Sequence, residues 1–245
     1  MTSPVRTYQE EMHKNLGFFA TWLPGDLIEL GAVGLLQGGR FCQETTLANK
    51  GIAVVPSEPG ARQDLQYSST KGTTVNVSGA SGDVVATVAT KVQIDFSSEG
   101  AFVFEVGGAQ QTRIANRTEM AEHVLRAYRR DKWDARWLIV EAVYHVDYAT
   151  IIVSQDKSAS ITLVATTAVG STSLLARPEA ELSVGGLQGR MFCCVGQSGL
   201  SPLYLCSKLK DPPFSEPRVR SVRGDSFEQG QLPLTWGGIQ ELVDS

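Results

Sequence analysis

Nucleophilic catalysis needs a nucleophile within reach of a base, usually with a third group that orients the base. The chain has three histidines and four cysteines to draw on. His13 and His123 fall on segments with helical spacing and His145 on a strand-like run, where a lone polar side chain more often satisfies the backbone than acts as a base. His145 with Cys193 or Cys194 is the best nucleophile and base pair, and it would make a cysteine-dependent hydrolase. No spacing brings the two together. Gly196-Gln197-Ser198-Gly199 lacks the second spacer of the G-x-S-x-G elbow and precedes no helix, so it reads as a turn. The carboxylates do not fall at metal-ligand spacing, and close acid pairs such as Glu10 with Glu11 look like surface. No phosphate loop, dinucleotide fingerprint or EF-hand loop occurs, because the Gly-rich runs follow strands without opening helices. The expectation is a protein that is not an enzyme, with no catalytic residue, metal ligand or cofactor.

At 245 residues and 42% hydrophobic, the chain has ample core material for one large domain or two small ones. A net charge of −4 argues against a general nucleic-acid binder, which gathers Lys and Arg to neutralise phosphates. Arg117, Arg126, Arg129, Arg130, Lys132 and Arg136 do crowd one region, but Glu119, Glu122, Asp131 and Asp134 interrupt them, so the cluster reads as a mixed, solvated helix face. The first residues lack the apolar core of a signal peptide and no run of 18 apolar residues occurs, so residence in the cytoplasm is expected. There Cys42, Cys193, Cys194 and Cys206, which lack C-x-x-C pairing, stay reduced and serve as buried small apolar side chains. Glycosylation-like triplets at Asn76 and Asn116 are chance matches in such a chain.

The elements that could position any function are mostly strands. Residues 67–106 carry the clearest pattern: Val84, Ala86, Val88, Thr90, Val92, Ile94 and Phe96 alternate with Val85, Thr87, Ala89, Lys91, Gln93 and Asp95. One face is apolar and the other polar. Upstream, Val75 and Val77 alternate with Thr74, Asn76 and Ser78, and residues 79–83 supply turn chemistry, which predicts a long amphipathic hairpin. Such a pattern suits a soluble sheet covered on one side. It equally suits a membrane barrel, where about 9 to 11 alternating residues span the bilayer. A strand over 137–148, continued by 150–153 and turned at 155–158, leads to a second alternation in which Ala159, Ile161, Leu163 and Ala165 oppose Ser160, Thr162 and Val164. A further strand pair is expected near 181–194 and 202–208. Helices are expected over 5–16 and over 117–130, the latter with Asn116 as N-cap, Glu119 completing a capping box, and Met120, Val124 and Tyr128 on one face. Short strands fill 26–42, turned at Gly38-Gly39, and 51–55. Residues 29–42 and 181–194 echo one another as two Gly-rich hairpins.

Beyond Lys210 the character changes. Residues 211–217 have linker composition, and Arg218, Arg220 and Arg223 offer a flexible site to a trypsin-like protease. The last segment carries Phe227, Leu232, Leu234, Trp236, Ile239, Leu242 and Val243, which need cover and are expected to dock on the body.

In order and texture, residues 24–210 resemble a bacterial gasdermin, of the pore-forming family whose members stay soluble until a protease removes an inhibitory C-terminal segment. The Gly-rich pair at 27–42 is similar to the family's first hairpin, the small-residue strands at 65–96 to its first membrane-inserting hairpin, and 117–130 to the helix that follows. The stretches 137–143 and 155–165 resemble its second inserting hairpin, and 201–209 its closing strand. Positions 2 to 4 are Thr, Ser and Pro, where bacterial members often carry a lipidated cysteine beside the initiator methionine, so lipid priming does not carry over.

The resemblance implies an α+β fold with a twisted, mainly antiparallel sheet, amphipathic hairpins and a few flanking helices. It implies a pore-forming domain over 1–210, a protease-sensitive linker over 211–224 and an inhibitory tail over 225–245 that includes Leu232, Leu234, Trp236, Ile239 and Leu242. Cleavage at Arg218, Arg220 or Arg223 by an activating protease would free a cytoplasmic protein to move to the inner membrane. There it would meet lipid and form a homo-oligomeric pore that kills the cell, as in anti-phage defence, with no nucleic-acid partner. Strands in lipid satisfy their backbone only in a closed barrel, so monomers must assemble. Val84, Val88, Val92, Ile94, Ile161 and Leu163 would face lipid, and Val92→Asp would stop leakage while sparing the soluble fold. The alternative is a non-enzymatic cytosolic α+β binding or adaptor module whose hairpins are ordinary sheet.

Overall fold

Alternating side chains make sheet wherever one face finds a core, and strands dominate this chain. A computed structural model describes residues 4–23, 26–78, 90–165, 175, 181–210 and 217–222. In chain order the elements are α1 (Pro4–Leu16), β1 (Phe19–Ala20), β2 (Ala32–Gln37), β3 (Arg40–Thr46), β4 (Gln63–Ser68), β5 (Thr73–Ser78), β6 (Thr90–Phe96) and β7 (Phe102–Arg113). There follow α2 (Arg117–Tyr128), β8 (Leu138–Val146), β9 (Tyr148–Ser154), β10 (Ala159–Ala165), β11 (Ser183–Gln188), β12 (Met191–Gln197), β13 (Leu200–Lys210) and β14 (Arg218–Val222). The described strands pair antiparallel, which makes the fold α+β with a mainly antiparallel sheet, as expected.

The chain divides into two compact units, one made of residues 1–11, 62–109 and 146–200, the other of residues 12–61, 110–145 and 201–245. In the first unit, β4 and β9 both pair with β7, and β12 pairs with β9. A separate four-stranded sheet runs in the order β11-β10-β6-β5. Its central strands pack Val92, Ile94, Phe96, Ile161 and Leu163 onto Val103 of β7 and Ile152 of β9, and Leu175 joins the cluster. Asp156 fixes the turn before β10, accepting hydrogen bonds from the Arg190 backbone at 2.8 Å and its Nη2 at 2.8 Å.

In the second unit, β13 lies between β8 and two strands that share its other edge, β1 against Leu203 and Tyr204 and β14 against residues 206–210. The hairpin β2-β3 adds to β8 through Val33 and Gly34. Gly34 is required there, because a Cβ would sit 2.0 Å from the Cys42 carbonyl oxygen at the bulge in that hairpin. Helix α2 buries Met120 and Val124 against Val33, Ile139 and Leu209.

Four local expectations need correction. The short strand expected over 51–55 is instead a turn and loop. The Gly-rich hairpin expected within 181–194 does not form: β11 joins β10 and β12 joins β9, with Gly189 at φ +80° turning the chain from one sheet to the other. The echo with 29–42 therefore does not extend to structure, since a Gly-rich sequence specifies a turn and not the partner on either side. Asn116 does precede α2 but makes no capping bond. Its amide instead ties down the preceding loop, accepting from Val55 N–H at 3.0 Å and donating to the Ala53 carbonyl at 3.1 Å, while Glu119 accepts from the same amide. Finally, Cys194 and Cys206 are buried as expected, but Cys193 is exposed and Cys42 only half-buried.

Candidate functional site

Opposed residues of an antiparallel pair lie on one face, so register converts the sequence alternation into rows. Across the four-stranded sheet Val75 opposes Ile94, Ile94 opposes Ile161, and Ile161 opposes Leu187. The next row is Val77, Val92, Leu163 and Val184. On the other face the rows are polar: Asn76, Gln93, Thr162 and Gly186, then Thr74, Asp95, Ser160 and Gln188. Eight apolar side chains therefore share one face of a sheet built from two hairpins, β5-β6 and β10-β11.

That face is wider than its core. Val92, Ile94, Ile161 and Leu163 on the central strands are at most 1% exposed, whereas Val75, Val77, Val184 and Leu187 on the outer strands are 43%, 64%, 51% and 57% exposed. Fully covering a Val or Leu side chain is worth roughly 1.5 to 3 kcal/mol, so each half-exposed one withholds about 1 kcal/mol from the soluble fold. The alternation identified the four central residues. It did not single out the outer four as a site, because their alignment with the central rows exists only across strands. Val84 and Val88, expected on the same face, lie outside the described residues.

The expectation for Val92→Asp fails on this geometry. Val92 sits in the packed cluster, so a charge there would disrupt the soluble fold it was meant to spare.

The basic stretch expected in the linker is a strand. Arg218 and Arg220 point out of β14 as exposed residues, but their backbone pairs with Lys210 and Lys208 of β13. Arg223 and the tail residues Leu232, Leu234, Trp236, Ile239 and Leu242 lie outside the described residues. A buried carboxylate clamps β14 down. Glu141 of β8, 3% exposed, accepts hydrogen bonds from Ser207 of β13 and Ser221 of β14, and Arg117 Nη2 lies 2.8 Å from its Oε2. Arg117 also donates to Ser221 Oγ at 2.7 Å. Sequence reading missed this cluster because its members are separated by up to 104 positions.

Elsewhere, the nucleophile and base candidates are placed unfavourably. Desolvation pushes the thiol of the buried Cys194 up to about 11, away from the reactive thiolate. His145 Nδ1 instead lies 3.0 Å from Ser201 Oγ, a hydroxyl that is buried. Ser198 lies in the turn between β12 and β13, as expected. Among the described residues no group of three or more His, Cys, Asp or Glu could hold a metal ion, and no helix is long and apolar enough to cross a membrane. Burial raises the Glu105 carboxyl to about 7, against the opposing hydrogen bonds of Gln66 and the Leu175 backbone.

Fold and site together define an α+β protein, mainly antiparallel, with one two-faced sheet of paired hairpins. No family model matches the chain, and no curated protein matches it. Among solved structures it is similar to the gasdermin A3 membrane pore seen by cryo-EM, with a TM-score of 0.39 and 10% identity over 91% of this chain and 95% of that one. At that TM-score the likeness carries no argument.

Proposed function

We propose that the chain is a gasdermin-like pore-forming protein whose two hairpins leave the soluble fold and assemble, copy beside copy, into a membrane β-barrel. The observation that carries this is the four-stranded sheet with one continuous apolar face, half of it uncovered, and one polar face. A barrel wall needs that division, with lipid on the apolar side and water on the polar side. The strand pairing could be kept during insertion, so the transfer exchanges one apolar environment for another. β5 and β11 are the outer strands of the sheet, and an open edge is not tolerated in lipid, so β5 of one copy would pair with β11 of the next. The sequence alternation runs from Val84 to Phe96, longer than the roughly 9 to 11 residues a tilted strand needs to span a bilayer.

Control belongs to the C-terminal segment. An activating protease cuts at Arg218, Arg220 or Arg223, and the tail with Leu232, Leu234, Trp236, Ile239 and Leu242 restrains the cytoplasmic form until then. Release sends the protein to the inner membrane, and the role that follows is cell death in defence of a bacterial population against phage.

Dye-loaded liposomes treated with the protein before and after limited trypsin digestion test this. Leakage is expected after digestion and not before. Val77→Asp, on the exposed end of a row, should melt like wild type yet fail to leak, since a charge at the bilayer midplane costs about 2 to 4 kcal/mol in a barrel. Gln93→Asp on the polar face should leak nearly as well as wild type. Intact liposomes with nicked wild-type protein, or equal effects of the two substitutions, would sink the proposal.

A further inference from the structure

Four cations converge on one half-open cavity in the second unit, at the C-terminal end of α2. Its volume is about 980 Å³, and its walls include Lys50, Arg126, Arg130 and Lys132 together with Trp133 and Trp137. In sequence Arg126, Arg130 and Lys132 read as part of a mixed helix face. Asp134 is engaged by Arg136 through Nε at 3.1 Å and Nη2 at 2.7 Å, which leaves Asp131 as the one other acid on the wall. Arg130 and Lys132 make no ion pair among the described residues.

The turn that gathers them is specific. The Lys132 N–H reaches back to the Ala127 carbonyl at 3.0 Å and the Asp131 N–H to the Tyr128 carbonyl at 3.0 Å, closing α2 in a Schellman arrangement. Asp131 takes the left-handed position at φ 55°, a conformation costly for most side chains and tolerated by Asp and Asn. Trp133 is buried and meets Trp137 edge to face at 5.2 Å between ring centres, while Lys50 Nζ stands 4.6 Å over the Trp137 ring. One or two cations suffice to complement the carbonyls of a helix end. Four around a concave, aromatic-walled space are more than the helix needs.

We propose that this cavity binds a phosphate group, carried by a small phosphoester or presented by a lipid headgroup. Arg130 and Arg126 supply planar forks that match phosphate oxygens, Lys50 and Lys132 supply point charges, and the tryptophans offer an apolar wall to the carbon part of the ligand. The inference does not depend on pore formation.

Isothermal titration of the full chain with inorganic phosphate and with glycerol 1-phosphate, and flotation with vesicles of phosphatidylcholine with or without phosphatidylglycerol, tests it. Saturable binding of a soluble phosphate identifies a free phosphoester site. Binding confined to the phosphatidylglycerol vesicles identifies a headgroup site. In either case the double variant Arg130→Ala with Lys132→Ala should weaken binding about tenfold or more, as expected for lost charge-assisted hydrogen bonds. Lys157→Ala, which removes an exposed charge in the first unit, should bind as wild type. Asp131→Asn keeps a residue suited to the left-handed turn and deletes the opposing charge, so it should tighten binding several-fold. Failure of every probe to bind, unchanged binding by the Arg130 and Lys132 double variant, or weakened binding by Asp131→Asn would each overturn the proposal.

Discussion

The two units hold their outer strands by opposite means. In the first, β5 and β11 flank a sheet whose central strands pack onto β7 and β9 through apolar side chains. In the second, β14 lies on the edge of β13 and is fastened by Glu141, Ser207, Ser221 and Arg117. Apolar burial is non-directional, so any apolar medium that removes the same area from water serves as well as the native core. A buried carboxylate with fixed donors has no such substitute. Lifting β14 takes Ser221 away from both Glu141 and Arg117, leaving the buried carboxylate one donor short unless water replaces it. A sheet held the first way can exchange its environment, and a strand held the second way behaves as a latch.

The largest effect on this contrast is expected from Val92→Asp. An ionised carboxylate inside the cluster of Ile94, Ile161 and Leu163 lacks a partner, and several kcal/mol of burial cost should abolish cooperative unfolding of the first unit, read by hydrogen exchange over residues 90–109. Protection at the wild-type level would mean that the hairpin sheet is not fastened by its apolar face.

Arg117→Ala should come next. It leaves Glu141 buried with only hydroxyl partners and should cost up to about 3 kcal/mol, seen as a lower thermal midpoint and as faster tryptic cleavage after Arg218 and Arg220. Arg117→Lys keeps the charge without the fork and should fall between. If cleavage rates do not change, Glu141 and its partners do not latch β14.

The smallest effect sharpens the comparison through pH. Burial raises the Glu105 carboxyl from 4.5 to about 7, so folding favours its protonated form. Its contribution is therefore full at acid pH and is lost as pH rises from about 4.5 to about 7. Burial lowers His13 from 6.5 to about 4, with a weaker opposing bond to the Phe18 backbone, so folding favours neutral imidazole. Here stability is full above about pH 6.5 and declines as pH falls toward 4. Hydrogen exchange read separately over residues 90–109 and 12–20 should show the first unit loosening with rising pH and the second with falling pH. Glu105→Gln should flatten the first slope alone. Slopes of the same sign in both units would refute the assignment.

Much of the fold is legible in the residues because a period of two needs only local information. The alternation in β6 and β10 predicts which side chains point inward, and Val92, Ile94, Ile161 and Leu163 are buried as that parity requires. The helices at Pro4–Leu16 and Arg117–Tyr128 follow from their periodicity in the same way. What escaped the sequence is pairing. Nothing in residues 181–194 says that β11 turns to β10 and β12 to β9, and nothing in Arg218-Val219-Arg220 says that a linker-like stretch completes the edge of β13. The exposed ends of the apolar rows, the Glu141 clamp and the cation-lined cavity all depend on residues brought together from distant positions. Side-chain alternation is set by the backbone of one strand, whereas the choice of neighbour is set by burial and hydrogen bonding summed over the whole chain. The sequence by itself thus determined that this protein has two-faced strands, and only the tertiary structure decided how far the apolar face extends beyond its cover.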